Sequence, residues 1–202
     1  RRMSIGAAVW AGYRTAGRVL APLAPFHLAR RTRRGKEDPI RAAEKRGIAS
    51  LPPFAEPPVW IHAVSVGESV AALVLAQELL GRGASVLLTT GTPASAARVA
   101  QSGVGVVHQY APLDALPFID RFLGHWRPAA AIFVEAEVWP ATLYALKQRS
   151  IPRIHVNARL SQRSFRRWRA APALSRPLFS MIHLALAQTD SHRERLEELG
   201  CA

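Results

Sequence analysis

A glutamate directly after an apolar run is the first residue in this sequence placed to do chemistry. Glu68 ends the segment Ser65-Val66-Gly67-Glu68, which follows the apolar residues 59–64. The run predicts a strand, and the turn with its glycine leads at once into a helical pattern. In an open α/β sheet, ligands bind in the crevice outside the carboxyl ends of the strands. We therefore predict that Glu68 faces a binding cleft from the first turn of a helix.

A second pair of carboxylates follows a later apolar run. Glu135 and Glu137 are two residues apart, so in an extended segment their side chains point the same way. Two adjacent carboxylates repel unless a cation or a proton intervenes, and Arg159, after the next apolar run, is the expected neighbour. The alternative is that one of the pair caps the helix that Pro140 opens, where the helix dipole favours a carboxylate.

Other polar groups fall at the ends of the same runs. An ordinary first-turn carboxylate at Glu68 and a simple turn glycine at Gly67 stay open as alternatives. Ser65 lacks a G-x-S-x-G surrounding, and the histidines lack the spacing of metal ligands. The candidate binding residues around the carboxylates are Ser65, Gly67, Thr90, Gly91, Trp139, Asn157, Arg159, Ser161 and Arg163.

Six apolar runs alternate with helical patterns, which predicts an α/β fold with a doubly wound, parallel, Rossmann-like sheet. Asp114 is expected to cap the helix that follows the third strand, and Thr92 with Pro93 to begin the helix after the second. The predicted strands are 59–64, 85–90, 104–110, 129–135, 151–157 and 183–188.

The N-terminal part is basic and apolar together. The chain has 202 residues and a net charge of +13, which calls for a partner of opposite sign. Residues 3–28 are mostly apolar but contain two arginines, and five cations follow within 30–36. We predict an interfacial helix on an anionic membrane surface, with a solvated helix packed on the domain as the alternative. The predicted organisation is a membrane-associating segment 1–36, a linker 37–57 and a Rossmann-like domain 58–202.

Residues 159–169 combine five arginines with two aromatic side chains. This pattern suits a nucleic-acid backbone, the phosphates of a lipid headgroup, or a solvated helix face. Because carboxylates at the same sheet edge would repel a polynucleotide, no nucleic-acid partner is expected. The single cysteine, Cys201, excludes a disulfide within the chain and fits a reducing compartment.

Three motifs in this order resemble the N-terminal half of 3-deoxy-D-manno-octulosonic acid (Kdo) transferases: HAVSVGE (62–68), EAEVWP (135–140) and NARLSQRSFRRW (157–168). RRGKEDP (33–39), TTGTPAS (89–95) and HQYAPLD (108–114) are also similar to that family, and the resemblance covers nearly the whole chain. It implies the acceptor half of a GT-B type glycosyltransferase with two Rossmann-like domains. The alternative enzyme is another GT-B glycosyltransferase with a lipid-linked acceptor.

The resemblance implies transfer of Kdo from CMP-Kdo to the lipid A precursor, at the cytoplasmic face of the inner membrane, with inversion and without a metal or other cofactor. It makes Glu68 the general base and places Glu135 and Glu137 at the acceptor. One departure is Ala141, where the family usually has asparagine after Trp-Pro. The sugar-nucleotide domain that would bind CMP-Kdo is not in this sequence, so the chain alone is expected to bind acceptor without turnover.

Overall fold

The computed structural model of the chain describes residues 5–135 and 138–201. In this part, six parallel strands form one sheet in the order β3-β2-β1-β4-β5-β6. Helices pack on both faces, so the predicted doubly wound, Rossmann-like α/β fold is confirmed. The strands are β1 (Val59–Ala63), β2 (Val86–Thr90), β3 (Val107–Tyr110), β4 (Ala130–Val134), β5 (Arg153–Ala158) and β6 (Leu184–Ala187).

The helices begin close to where the sequence predicts them. Thr92 caps the helix that starts at Pro93, and its hydroxyl and that of Ser95 each accept a hydrogen bond from the other's backbone N–H. The α-helices are α1 (Ile5–Leu20), α2 (Ala24–Arg33), α3 (Val66–Gly81), α4 (Pro93–Ala100), α5 (Leu116–Trp126), α6 (Pro140–Gln148), α7 (Gln162–Arg169), α8 (Pro172–Phe179) and α9 (Asp190–Glu198). Short 3-10 helices cover Ala21–Leu23 and Ala42–Arg46.

Side chains that alternate along the strands pack into two hydrophobic cores, one on each face of the sheet. Trp60 packs with aromatic residues of α5 on one face, and its ring centroid lies 4.7 Å from that of Phe122. Its neighbour Ile61 points to the other face, against α3. The second core thins toward the edge strand β6, where the side chains of Leu184 and Leu186 are about half exposed. The sheet is therefore best covered at its centre, where the crevice lies.

The prediction that Asp114 caps α5 is wrong. Helix α5 begins two residues later without a side-chain cap. The carboxylate of Asp114 instead accepts hydrogen bonds from the backbone N–H groups of Ala141 (3.0 Å) and Thr142 (2.8 Å), and from the Tyr13 hydroxyl (2.9 Å). Asp114 thus satisfies the N-terminus of α6, the helix that Pro140 opens as predicted. A sequence separation of more than 20 residues hides such a cap from local pattern reasoning.

The N-terminal segment forms two helices instead of one. Helix α1 packs against α5 and α8, and a short 3-10 turn with Pro22 joins it to α2. Large apolar side chains stay exposed along the junction, with Phe26 at 70%. Within residues 5–135 and 138–201, no helix is long and apolar enough to cross a membrane.

Residues 37–57, predicted to be a linker, pack closely against the domain in their first part. Glu37 and Glu44 are buried, and the 3-10 helix Ala42–Arg46, which contains Glu44, contacts β3 and α5. Gly47 has φ 74°, and a Cβ atom there would collide with the backbone carbonyl of Phe118. Only glycine fits this close approach.

Candidate functional site

The crevice of this sheet opens between β1 and β4. These two strands are adjacent, and the chain leaves them in opposite directions along the sheet, β1 toward β2 and β4 toward β5. Such a topological switch point is where open α/β sheets bind ligands. The segments that follow the two strands, 64–68 and 135–139, carry the residues that the sequence singles out for chemistry.

Glu68 is held back against the start of its own helix. Its Oε2 accepts a hydrogen bond from the backbone N–H of Val64 (2.7 Å), and its Oε1 accepts one from the Ser65 hydroxyl (2.8 Å). Ser65 is the N-cap of α3, and its Oγ accepts in turn from the N–H of Glu68 (3.3 Å). Glu68 is 9% exposed. Two donors and a helix N-terminus therefore hold the carboxylate of Glu68 in one orientation after β1.

The turn after β2 supports the turn after β1. The N–H of Gly91 donates to the carbonyl of Val64 (3.2 Å), and a Cβ at Gly91 would lie 3.0 Å from both Val64 Cγ1 and its carbonyl oxygen. Ser95 also donates its hydroxyl to that carbonyl (3.2 Å). Thr90 is fully buried, and its hydroxyl bonds His108 at 2.9 Å, so its side chain faces the interior. Gly67 is exposed, with open space around its Cα.

The β4 side of the crevice carries a carboxylate and a guanidinium. Oε2 of Glu135 lies 3.1 Å from Nε of Arg159, which confirms the predicted pairing. The prediction of an extended segment at Glu135 is wrong, because its φ is 65°, in the left-handed region. Asn157, at the end of β5, has φ 52°. Non-glycine residues held in this region occur often at functional sites. Glu137 lies outside the described residues.

An open pocket of about 490 Å³ lies beside this ion pair, at the ends of β5 and β6. Arg163 is exposed on α7 close by but does not line the pocket, and Trp139 packs edge-on against His62 with a centroid distance of 5.6 Å. The pocket offers cationic, hydroxyl, amide and aromatic groups together, a set that suits a phosphorylated or carboxylated sugar. Its lining residues are Val138, Arg159, Leu160, Ser161, Ser164, Trp168, Gln188 and His192.

Three histidines on the strands, of which His62 and His155 are buried, are structural. Burial lowers the pKa of His62, His108 and His155 to about 4 in each case. They are therefore neutral at pH 7, and Nδ1 of His62 bonds the Thr89 hydroxyl at 2.9 Å. The described residues include no group of three or more His, Cys, Asp or Glu side chains placed to hold a metal ion. Metal independence of a reaction stays a prediction.

An ion cluster in the segment before β1 was not predicted from the sequence. Glu37, Glu44 and Lys45 are each less than 10% exposed, although they lie in the predicted linker. Glu44 accepts from the N–H of Tyr110 at the end of β3 (2.7 Å), and Arg41 pairs with it at 2.8 Å. A charged stretch between a basic helix and a strand resembles any solvated loop, so composition gave no signal.

Fold and site together define a Rossmann-like α/β domain with an ordered carboxylate on one side of its switch point and an ion pair on the other. Residues 30–202 match the family described as 3-deoxy-D-manno-octulosonic-acid transferase (kdotransferase). The chain belongs to this family, whose members are glycosyltransferases.

Curated proteins similar to this chain carry the name of the same family. The chain is 40% identical to a probable mitochondrial 3-deoxy-D-manno-octulosonic acid transferase of Arabidopsis thaliana, over 89% of this chain and 40% of that protein. The 3-deoxy-D-manno-octulosonic acid transferase of Haemophilus influenzae is 40% identical over 79% of this chain and 38% of its own length. That of Bordetella pertussis is 36% identical over 93% and 46%. The chain thus spans less than half the length of these relatives.

Proposed function

We propose that this chain is the acceptor-binding, base-carrying half of a GT-B type enzyme that transfers Kdo from CMP-Kdo to a lipid A precursor in lipopolysaccharide biosynthesis. The observation that carries the proposal is the ordered Glu68 carboxylate at the switch point of the sheet. Family membership supplies the reaction class, and the crevice supplies groups for each of its demands. CMP-Kdo itself would bind mainly to the part of the relatives' length that this chain does not cover.

Glu68 is proposed as the general base. An inverting transfer needs one group to take the proton of the acceptor hydroxyl as its oxygen attacks the anomeric carbon. Each oxygen of the Glu68 carboxylate accepts one hydrogen bond within the protein, from Val64 and from Ser65, and keeps a further lone pair. The same contacts stabilise the helix start, so an experiment has to separate catalysis from capping.

The acceptor's charged groups are proposed to bind on the β4 and β5 side. Arg159 is 57% exposed at its side chain, so its guanidinium can reach a ligand while it contacts Glu135. Arginine binds phosphate with two parallel hydrogen bonds. The neighbouring pocket, with Ser161 at the start of α7, has room for a sugar ring. We place Glu137 and Trp139 at the same subsite on the family motif alone.

The N-terminal helices are proposed to bind the cytoplasmic face of the inner membrane. Val19, Leu20, Leu23 and Phe26 are each more than half exposed, and exposed cations follow them at 30–36. Apolar side chains next to cations favour the interface of an anionic leaflet, at about 1 kcal/mol per cation near the surface. A lipid acceptor would then meet the crevice at the membrane where it resides.

The decisive test joins the chain to the part of the Haemophilus influenzae relative that this chain does not cover. The fusion is incubated with CMP-Kdo and the tetra-acylated, bisphosphorylated disaccharide precursor of lipid A, and the lipid mass is measured. We expect a gain of one or more Kdo units with the fusion and none with the chain alone. A folded fusion that binds CMP-Kdo without any mass gain would refute Kdo transfer and favour another lipid-linked acceptor.

Two variants separate catalysis from capping. Glu68→Gln should lower kcat by at least 100-fold, because an amide cannot accept the proton. The control is Glu78→Gln, an exposed carboxylate on the same helix, which should keep full activity. Melting temperatures of both variants are measured in parallel. If Glu68→Gln loses activity only in proportion to its folded fraction, Glu68 is a capping residue and not the base.

A further inference from the structure

A buried lysine stands behind the candidate base and reaches it through backbone groups. Nζ of Lys45 donates to the carbonyl of Gly91 (2.6 Å). The N–H of Gly91 donates to the carbonyl of Val64, and the N–H of Val64 donates to Oε2 of Glu68 (2.7 Å). Three consecutive hydrogen bonds thus connect Lys45, Gly91, Val64 and Glu68.

The surroundings of Lys45 hold its ammonium group in place. The side chain is 9% exposed, and Nζ lies 3.5 Å from Oε2 of Glu37 and 5.4 Å from the ring centroid of Tyr110. The carbonyl of Lys45 accepts from the N–H of Leu113, in the turn after β3. One residue therefore fastens the turns after β2 and β3, by its side chain and by its backbone.

Burial of this lysine is costly and needs a local reason. Desolvation lowers the pKa of Lys45, and the carboxylate of Glu37 opposes that change. A buried apolar residue would fill the same space without a desolvation penalty. What it could not supply is a charge-assisted hydrogen bond to the carbonyl of Gly91, which is stronger than a neutral one.

We propose that Lys45 is a positioning residue for Glu68. Its bond to the Gly91 carbonyl fixes the backbone at residue 91, whose N–H, on the preceding peptide group, bonds the carbonyl of Val64. The backbone at residue 64 in turn presents the N–H that orients the carboxylate. Glu37 keeps the ammonium group in place. Arg31, at the end of α2, pairs with the other oxygen of Glu37 at 2.6 Å, so the cluster also joins the basic N-terminal helix to the crevice. The catalytic consequence rests on the proposed function, whereas the positioning itself does not.

The first experiment needs no substrate. Amide hydrogen exchange is measured by NMR on the unaltered chain, on Lys45→Met and on Lys45→Arg. Methionine keeps the length of the stem and removes the donor. We expect the Gly91 and Val64 amides of Lys45→Met to exchange at least tenfold faster, while the Ile132 amide, in central strand β4, changes less than twofold. Lys45→Arg should restore part of the protection. The matched control is Lys147→Met, an exposed lysine on α6, with no change at either amide.

Two results would overturn the positioning role. One is unchanged exchange at Gly91 and Val64 in Lys45→Met. The other is an equal acceleration at Ile132, which would make Lys45 a general contributor to stability. If Lys45→Met does not fold, Glu37→Gln carries the comparison, since it weakens the hold on the ammonium group. Unchanged Gly91 and Val64 amides in Glu37→Gln would then refute the proposal.

The second experiment measures kinetics in the two-domain fusion. Lys45→Met should lower kcat at least tenfold with KM for the acceptor within threefold, because the base is displaced and the acceptor site is not. A rise in KM alone would contradict the proposal. If the fusion with the natural sequence transfers no Kdo while the exchange rates change as expected, the proposed function fails and the positioning stands.

Discussion

The two sides of the crevice are built differently. On the β1 side, Glu68 is 9% exposed and accepts hydrogen bonds from a backbone N–H and a hydroxyl. The turn that carries these donors is itself bonded to the turn after β2. On the β4 side, Glu135 and Arg159 form a pair whose side chains are 24% and 57% exposed. The buried carboxylate is fixed in a medium that strengthens its contacts, whereas the exposed pair can separate at little cost. One side is suited to a defined proton acceptor and the other to an adaptable ligand contact.

The largest expected effect is a loss of stability when the segment that carries Lys45, on the β1 side of the crevice, is disturbed at Gly47. Gly47→Ala places a methyl group against the carbonyl of Phe118 in a left-handed backbone conformation, so the free energy of unfolding should fall by about 3 kcal/mol or more. Gly35→Ala is the control, since Gly35 has φ 66° but open space around it, and should cost only about 1 to 2 kcal/mol. Urea unfolding measures both. Equal losses would show that the close approach to Phe118 is relieved by movement.

The next effect involves both sides, because a buried histidine lies behind each. The pKa of His62 on β1 and of His155 on β5 is lowered by burial to about 4. In the unfolded chain each of these two histidines takes up a proton as the pH falls below about 6.5, whereas in the native state its imidazole stays neutral until about pH 4. The contribution of each neutral histidine to the free energy of unfolding is therefore fully present above pH 6.5. It falls between the two pKa values, by about 2 kcal/mol per histidine at pH 5.

Urea unfolding at pH 7 and pH 5 checks this dependence. His62→Gln should reduce the difference between the two pH values by about 2 kcal/mol. His27→Gln, at an exposed position on α2, should leave the difference as it is in the natural sequence. An unchanged difference in His62→Gln would mean that the imidazole is protonated within the fold.

A smaller effect compares two serine caps, one on each side. Ser65 and Ser161 each accept a hydrogen bond from an N–H in the first turn of the following helix. Ser161→Ala should cost about 0.5 to 1 kcal/mol, and Ser65→Ala about 1 to 2 kcal/mol, because it also removes a donor to Glu68. Thermal unfolding of the two variants measures the difference. Equal losses would show that the contact between Ser65 and Glu68 adds nothing to the cap.

The smallest effect is expected at the exposed ion pair. Arg159→Met should change the free energy of unfolding by less than about 1 kcal/mol, and the change should shrink further at high salt. Urea unfolding at low and at molar salt measures it. A loss above about 2 kcal/mol would show that the β4 side is as rigidly supported as the β1 side, and the contrast between them would disappear.

The sequence predicted the sheet well and the contacts of the site less well. Apolar runs bounded by turn residues located the six strands of the described sheet, because a buried strand appears in the sequence as a short local run of apolar residues. The pairing of Glu135 with Arg159 followed from the convergence of strand ends. Three features of the site could not be predicted in this way. They are the left-handed backbone at Glu135, the capping of α6 by Asp114 and the buried charges of Glu37 and Lys45. Each of these depends on partners distant in sequence, which periodicity cannot reveal.

The bonds made by Asp114 and Glu37 set a limit to how far the chain can be shortened from its N-terminus. A version that begins at residue 21 loses the hydroxyl of Tyr13 from Asp114 but keeps both N–H donors of α6. A version that begins at residue 34 also loses the pair of Arg31 with Glu37 and keeps the contact of Glu37 with Lys45. A form for expression and crystallisation that keeps both the α6 cap and the pair of Arg31 with Glu37 therefore begins no later than residue 31.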